Sequence, residues 1–305
     1  MLEFKKITLE DTEILTPYLR KYGASSCQYS MYLMTGLTMK YGDEFAVSDG
    51  IIYIHRSKLD TVDVRSYLAP LGDFNDGFEK AFSVLLEDAK EHSCRASVMG
   101  IGEEYADKIN AVFPGMFETE YSEDLDEYIY TTEALSVLSG KALAPKRNRV
   151  NAFYSQYEGH VRIENISEEN LLDVILFQKE WIKDRFAEGY DEMLDREDKA
   201  ITFYLSHYDE LKFTGIVVYV WGSVAGYAAG VSLNDDCMDE VIEKGRKDIT
   251  GIYQLLCNEF AILCCKGYTY INREEDLGVE GLRRAKRSYH PDRMLKKYTV
   301  TEKEN

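Results

Sequence analysis

Glu44-Phe45-Ala46-Val47-Ser48-Asp49-Gly50-Ile51-Ile52-Tyr53-Ile54-His55-Arg56 reads as two strands folded about a two-residue turn. β-Branched and aromatic residues fill both arms, and Asp49-Gly50 is a dipeptide that tolerates the positive φ angles a tight hairpin needs. Working outward, a short strand is expected near Phe4 to Ile7, then a helix through Ile14, Leu15 and Leu19 for which Thr8 and Asp11 offer caps. Beyond Pro70 the pattern predicts a helix over 78–89, a strand over 95–99, a helix over 105–112 and closing strands between 117 and 130. Strands alternating with helices make this an α/β chain, a mixed central sheet flanked by helices.

The second half repeats the order. A strand over 161–166 precedes a helix capped by Ser167, with Leu171, Ile175 and Ile182 at helical spacing, and a second helix over 200–205. A hairpin follows, 213–221 and 224–233 about Gly222-Ser223, then a strand over 238–243, a helix over 250–266, a strand over 268–272, a helix over 280–287 and a last strand over 294–300. The turns at 49 and 222 and the strands starting at 95 and 268 are both 173 positions apart. Chance alignment is the plain alternative; the equal offsets predict a duplicated domain, 1–134 and 159–305, joined by a basic connection at 135–158.

Two cores suit 305 residues, of which 45% are hydrophobic, with 23 Tyr and 13 Phe. With 36 Lys and Arg against 54 Asp and Glu the formal charge is −18, which repels nucleic acid, DNA included, and anionic lipid unless bases are locally concentrated. No run approaches the ~20 apolar residues of a membrane span, and the first residues lack the apolar core of a signal peptide, so a cytoplasmic protein without stable membrane insertion is expected. The six cysteines show no two-residue-spaced pairs and are read as reduced core residues, and the five scattered histidines lack the i, i+4 spacing of a metal site.

Four stretches carry candidate chemistry. Gly100-Ile101-Gly102-Glu103-Glu104-Tyr105 starts like a dinucleotide loop, but Tyr105 replaces the third glycine and two glutamates would repel a pyrophosphate, so a plain strand-to-helix turn is expected and the first domain is read as having lost its site. The small-residue strand around Gly226, Ala228 and Gly230 invites close approach, either by a ligand using its backbone N–H groups as oxyanion donors or by a helix. Lys244, Arg246 and Lys247 before Gly251 at a helix start offer an anion site, or else a solvated basic turn; Lys141, Lys146, Arg147 and Asn148 could add to it. The densest stretch runs from Asn272 through Glu274, Glu275, Asp276 and Gly278 to Lys286 and Tyr289, acid first and base after, at the carboxyl end of a strand. It offers carboxylate bases, a phenolic acid and phosphate-binding cations; its alternative is a helix whose charges complement its dipole.

Leu138-Ser139-Gly140-Lys141 with Lys146-Arg147-Asn148, Glu243-Lys244 before Gly251-Ile252-Tyr253-Gln254, and Asn272 to Gly278 continuing to Tyr289 resemble the soluble, tandem-domain relatives of the phosphatidylglycerol lysyltransferase C-terminal domain, of GNAT-like acyltransferase fold. The resemblance implies two GNAT-like domains with the active site in the second. It also implies transfer of an acyl or aminoacyl group from charged tRNA or acyl-CoA to an amine or hydroxyl of a small-molecule or peptide acceptor. Arg246 to Gly251 keeps only the ends of the acyl-CoA loop of that fold, which weakens coenzyme A as donor. In that scheme Glu274 or Glu275 is the base and Tyr289 the acid. The competing class is a non-catalytic module that binds a ligand or partner on the same fold.

Overall fold

The computed structural model describes residues 2–74 and 77–304. In chain order its strands are β1 (Lys5–Lys6), β2 (Asp43–Ser48), β3 (Ile51–Arg56), β4 (Val64–Leu68), β5 (Arg95–Ile101), β6 (Phe117–Tyr121), β7 (Glu127–Thr131), β8 (Val161–Asn165), β9 (Thr214–Val220), β10 (Ser223–Ser232), β11 (Cys237–Gly245), β12 (Tyr270–Asn272), β13 (Arg293–Leu295) and β14 (Tyr298–Glu302). They form two seven-stranded sheets, ordered β1-β2-β3-β4-β5-β14-β6 and β8-β9-β10-β11-β12-β7-β13. Place by place the two orders correspond, and each contains a parallel pair at the same place, β4 with β5 and β11 with β12. The duplication is therefore a property of the topology, with one exchange: β7 and β14 take the same sixth place, each in the sheet built by the other half of the sequence.

That exchange changes the expected division. One compact unit comprises the residues up to Glu127, Glu275–Gly278 and the residues from Met294 onward; the other comprises Tyr128–Glu274 and Val279–Arg293. The stretch expected as a connection over 135–158 folds instead into the helices Thr132–Val137 and Ala144–Gln156 of the second unit. Leu135, Val150, Phe153 and Tyr157 are buried, and apolar groups at helical spacing fold onto a core rather than span solvent.

Local chemistry explains the hairpins. Asp49 and Gly50 have φ of 51° and 75°, the two positive values of a tight hairpin turn. The second turn is Trp221-Gly222, with φ of 51° and 79°, one residue earlier than expected. Glycine takes the second left-handed place in both turns, as at Asp49-Gly50. The helix Leu171–Ala187 is entered through Asn170 rather than capped by Ser167: Asn170 Oδ1 accepts the Ser167 N–H at 2.9 Å.

β10 pairs antiparallel with β9 on one side and β11 on the other, so the backbone around Gly226, Ala228 and Gly230 is committed to the sheet. The small residues make room for neighbours. A Cβ on Gly230 would lie 1.8 Å from the Asp239 carbonyl oxygen and 2.9 Å from Phe260, and one on Gly226 would lie 2.7 Å from the Lys244 carbonyl oxygen and 3.0 Å from Leu256. The packing partner is the helix Ile252–Leu263, which settles the choice between ligand and helix and removes these three residues as oxyanion donors. Gly230→Ala is expected to lower stability by about 1–3 kcal/mol or more, read from a urea unfolding curve.

Candidate functional site

In the second unit the β11–β12 ladder runs from Cys237 opposite Tyr270 to Asp239 opposite Asn272. Beyond it Glu240 and Glu243 on β11 meet Arg273, which follows β12 and forms ion pairs with both carboxylates. In a regular strand residues three apart face opposite ways. Here the register slips between Ala229 opposite Ile242 and Gly230 opposite Glu240, a bulge that leaves Val241 without a partner on β10 and turns both carboxylates toward one guanidinium.

The Cys257 sulfur, from the helix Ile252–Leu263, and the two carboxyl groups lie within 4.8 Å of one another. Two carboxylates around one guanidinium leave a surplus negative charge in a buried place, so the cluster tends to keep a proton. Burial, opposed by Arg273 and reinforced by Glu240, pushes the Glu243 carboxyl up to about 8. Burial also pushes the Cys257 thiol and the Tyr289 phenol upward, so both hold their protons near neutral pH. With Arg273 among these donors, the cluster suits an organic cation already supplied by the chain rather than a metal ion.

Tyr289 is 5% exposed and stands edge-on to Tyr130, 6.5 Å between ring centres. Lys146 lies with Nζ 4.1 Å from the centre of the Tyr289 ring and donates to Ser288 Oγ at 2.6 Å. Burial is the leading cause that lowers the Lys146 pKa, with Arg273 and Arg149 adding to it. Of the expected residues, the structure thus gathers Lys146 and Tyr289 beside Arg273. Glu240, Glu243, Cys257 and Tyr130 complete the cluster and were not singled out as catalytic from sequence, since a β-bulge has no clear signature in a single chain.

The other candidates lie elsewhere. Glu274 belongs to the second unit and Glu275 to the first, where both its carboxylate oxygens lie 3.8 Å from Cys27 Sγ. Asn272 Oδ1 accepts the Glu274 N–H at 2.8 Å and Asp276 Oδ1 accepts the Gly278 N–H at 2.9 Å, while Gly278 has φ of 76°; these residues shape the turn. Lys244 reaches Glu197 at 2.7 Å, Arg246 chelates Asp248 at 2.7 and 3.0 Å, and Lys247 meets Glu188 at 2.5 Å. A phosphate on this turn would compete with those carboxylates. Gly251, with φ of 85°, begins the helix Ile252–Leu263. Arg147 donates to the Leu138 carbonyl, Lys141 and Asn148 are exposed, and Lys286 lies half-buried with Nζ 5.7 Å from the Tyr128 ring centre. All six cysteines are free; Cys27, Cys237, Cys257 and Cys265 are core residues as expected, whereas Cys94 and Cys264 are only half-buried.

Two corresponding mixed sheets, each with a parallel pair at the same place, define a tandem GNAT-like fold. The chain belongs to the family described as phosphatidylglycerol lysyltransferase, C-terminal, whose model matches residues 21–301. It is similar to a conserved protein of unknown function from Bacteroides thetaiotaomicron, 28% identical with a TM-score of 0.92, over 99% of this chain and 100% of that one. The structure of L-PGS from Bacillus licheniformis matches at 16% identity with a TM-score of 0.67, over 97% and 93% of the two chains. A tandem GNAT protein from the clavulanic acid biosynthesis pathway matches at 11% identity with a TM-score of 0.50, over the whole of both chains. An uncharacterised protein of Mycoplasmoides gallisepticum is 29% identical over 181 residues, 58% of this chain and about half, 56%, of that protein's length. Among the described residues no helix is long and apolar enough to cross a membrane.

Proposed function

We propose that the second unit transfers an acyl or aminoacyl group from an activated donor to an amine or hydroxyl, with Glu243 as the proton acceptor. The reading is carried by one observation: a carboxyl group pushed up to about 8 stands beside a fixed guanidinium where the parallel pair of the sheet parts. A base with that affinity takes a proton near neutral pH and can pass it on, whereas an ordinary exposed carboxylate is a far weaker base.

In the reaction the attacking amine gives its proton to Glu243, its lone pair adds to the donor carbonyl, and the tetrahedral oxyanion collapses with loss of a ribose oxygen or thiolate. Lys146, its pKa lowered by burial, is the better candidate for protonating the leaving atom; Tyr289, which keeps its proton, supports the Lys146 ammonium through its ring. The pairing of Arg246 and Lys247 with acidic neighbours weighs against a coenzyme A pyrophosphate and toward an aminoacyl ester donor, with exposed Lys141 and Asn148 able to meet tRNA phosphates. Family membership supports the same donor, since the family is that of a lysyltransferase C-terminal domain.

The test is the melting temperature of the full chain against lysyl-tRNA and against acetyl-CoA. Lysyl-tRNA is expected to raise it, by about 2.7 kcal/mol of stability at a hundred times Kd, with affinity falling steeply as salt is added. Acetyl-CoA is expected to leave it unchanged at millimolar concentration. A shift with neither donor, and no transfer of lysine to any amine supplied, would remove the enzyme reading and leave a binding module.

A further inference from the structure

An edge strand carries backbone N–H and C=O groups that no neighbour in its sheet uses, and natural sheets blunt their edges with short strands or with charge. Among the described residues the two sheets end in β1 and β6 and in β8 and β13. β1 and β13 have two and three residues, too short to template another strand. β6 and β8 have five each and differ in their pattern of charge.

Hydrogen bonds fix which groups of β8 face outward. The His160 carbonyl accepts the Trp221 N–H at 3.0 Å, and the Ile166 N–H donates to the Gly215 carbonyl at 2.8 Å. Antiparallel bonding alternates, so between those two places Arg162 and Glu164 spend their backbone groups on Tyr219 and Val217 of β9. Val161, Ile163 and Asn165 aim theirs away from the sheet. The Asn165 carbonyl accepts the Asn170 side-chain amide at 2.9 Å and keeps a second lone pair.

A second copy of the strand, laid antiparallel about Ile163, meets this edge in register. Ile163 exchanges both backbone bonds with its counterpart, and Val161 does so with Asn165. The side chains then match as well: Arg162 falls opposite Glu164, twice by symmetry, at the non-hydrogen-bonded places where facing side chains stand closest. Within one chain Arg162 already pairs with Glu164 along the strand, and the two side chains are 54% and 37% exposed, so four charges of alternating sign line one face of the joined strands. β6 fails the same test. Its bonds to β14, from the Ser122 N–H to the Lys297 carbonyl and from the Lys303 N–H to the Met116 carbonyl, leave Phe117, Thr119 and Tyr121 facing outward. Pairing with itself about Thr119 would set Glu118 against Glu120, like charge against like.

We propose that β8 is a self-association edge, through which two copies of this chain join their second-unit sheets in a two-fold symmetric dimer, with Ile163 on the axis and Arg162 opposite Glu164 on either side. The contact shares no residue with the cluster proposed for transfer, so either can fail without the other.

The full chain is followed by sedimentation equilibrium from about 1 μM to about 1 mM. Salt of about 0.15 M mutes the repulsion between two copies that each carry a charge of −18. The average mass is expected to climb toward that of two chains. Arg162→Glu and Glu164→Arg, made singly, set like charges opposite each other and are expected to weaken association by more than about tenfold. Made together they restore opposite signs, and association is expected to return to within about threefold of the parent. Ile163→Pro removes an outward N–H without taking a bond from β9 and is expected to abolish the dimer. A mass of one chain at about 1 mM, which would leave the edge to a foreign strand, would overturn the proposal. So would association that ignores these substitutions, or a double variant as weak as the single ones.

Discussion

Arg273→Met is expected to cost about 3–5 kcal/mol of stability, because it leaves the buried Glu240 and the part-buried Glu243 around an empty centre. Glu240 is 6% exposed and the Glu243 side chain 17%, so water takes over little of the role of the guanidinium. The loss is read as a shift of the urea midpoint at constant slope. A triple variant that also carries Glu240→Gln and Glu243→Gln should recover much of it, since the desolvated charges are then gone. Lowering the pH should shrink the penalty of the single variant, because protonated carboxyls need no counter-charge. A single variant as stable as the parent at pH 8 would mean that the cluster is open to solvent, and the raised Glu243 pKa would go with it.

Glu243→Gln is expected to lower turnover by about 10²–10⁴ with the fold intact, the usual worth of a positioned acid–base group. The pH dependence separates this role from a structural one. With Glu243 as base, the parent rate should climb as pH rises through about 8, where the carboxyl loses its proton, and the glutamine variant should lack that limb. Stability runs the other way. The folded chain holds the Glu243 proton up to about 8, whereas an unfolded glutamate releases it near the ordinary value of 4.5. The stabilisation is therefore fully present below the unfolded value and is lost as pH rises toward the folded one, a slope the glutamine variant should not show. A rate profile unchanged by the substitution would exclude Glu243 as the base.

Both expectations rest on residues to which the sequence assigns no catalytic role, although Glu243 and Arg273 lie in stretches that carry the family resemblance. Asn272, Glu274, Glu275 and Asp276 stand out as a dense polar run, yet Asn272 and Asp276 spend their side chains closing turns and the two glutamates fall in different compact units. Glu240 and Glu243 look like ordinary strand residues facing opposite ways. What unites them is the bulge at Val241, and what tunes Glu243 is burial together with Arg273, thirty positions further along the chain. Lys146 shows the same effect: it reads as part of a basic connection and is found in a helix against the Tyr289 ring.

The features that sequence alone determined are those set by neighbours in the chain. The Asp49-Gly50 turn follows from backbone sterics, the helices from an apolar period, and the duplicated α/β order from the recurrence of both. Tertiary structure alone decided which sheet received β7 and β14, which compact unit took Glu275, and how strongly Glu243 holds its proton. The physical reason is that strand pairing and the local dielectric depend on groups distant in sequence. Their energies do not exist until the chain has folded around them.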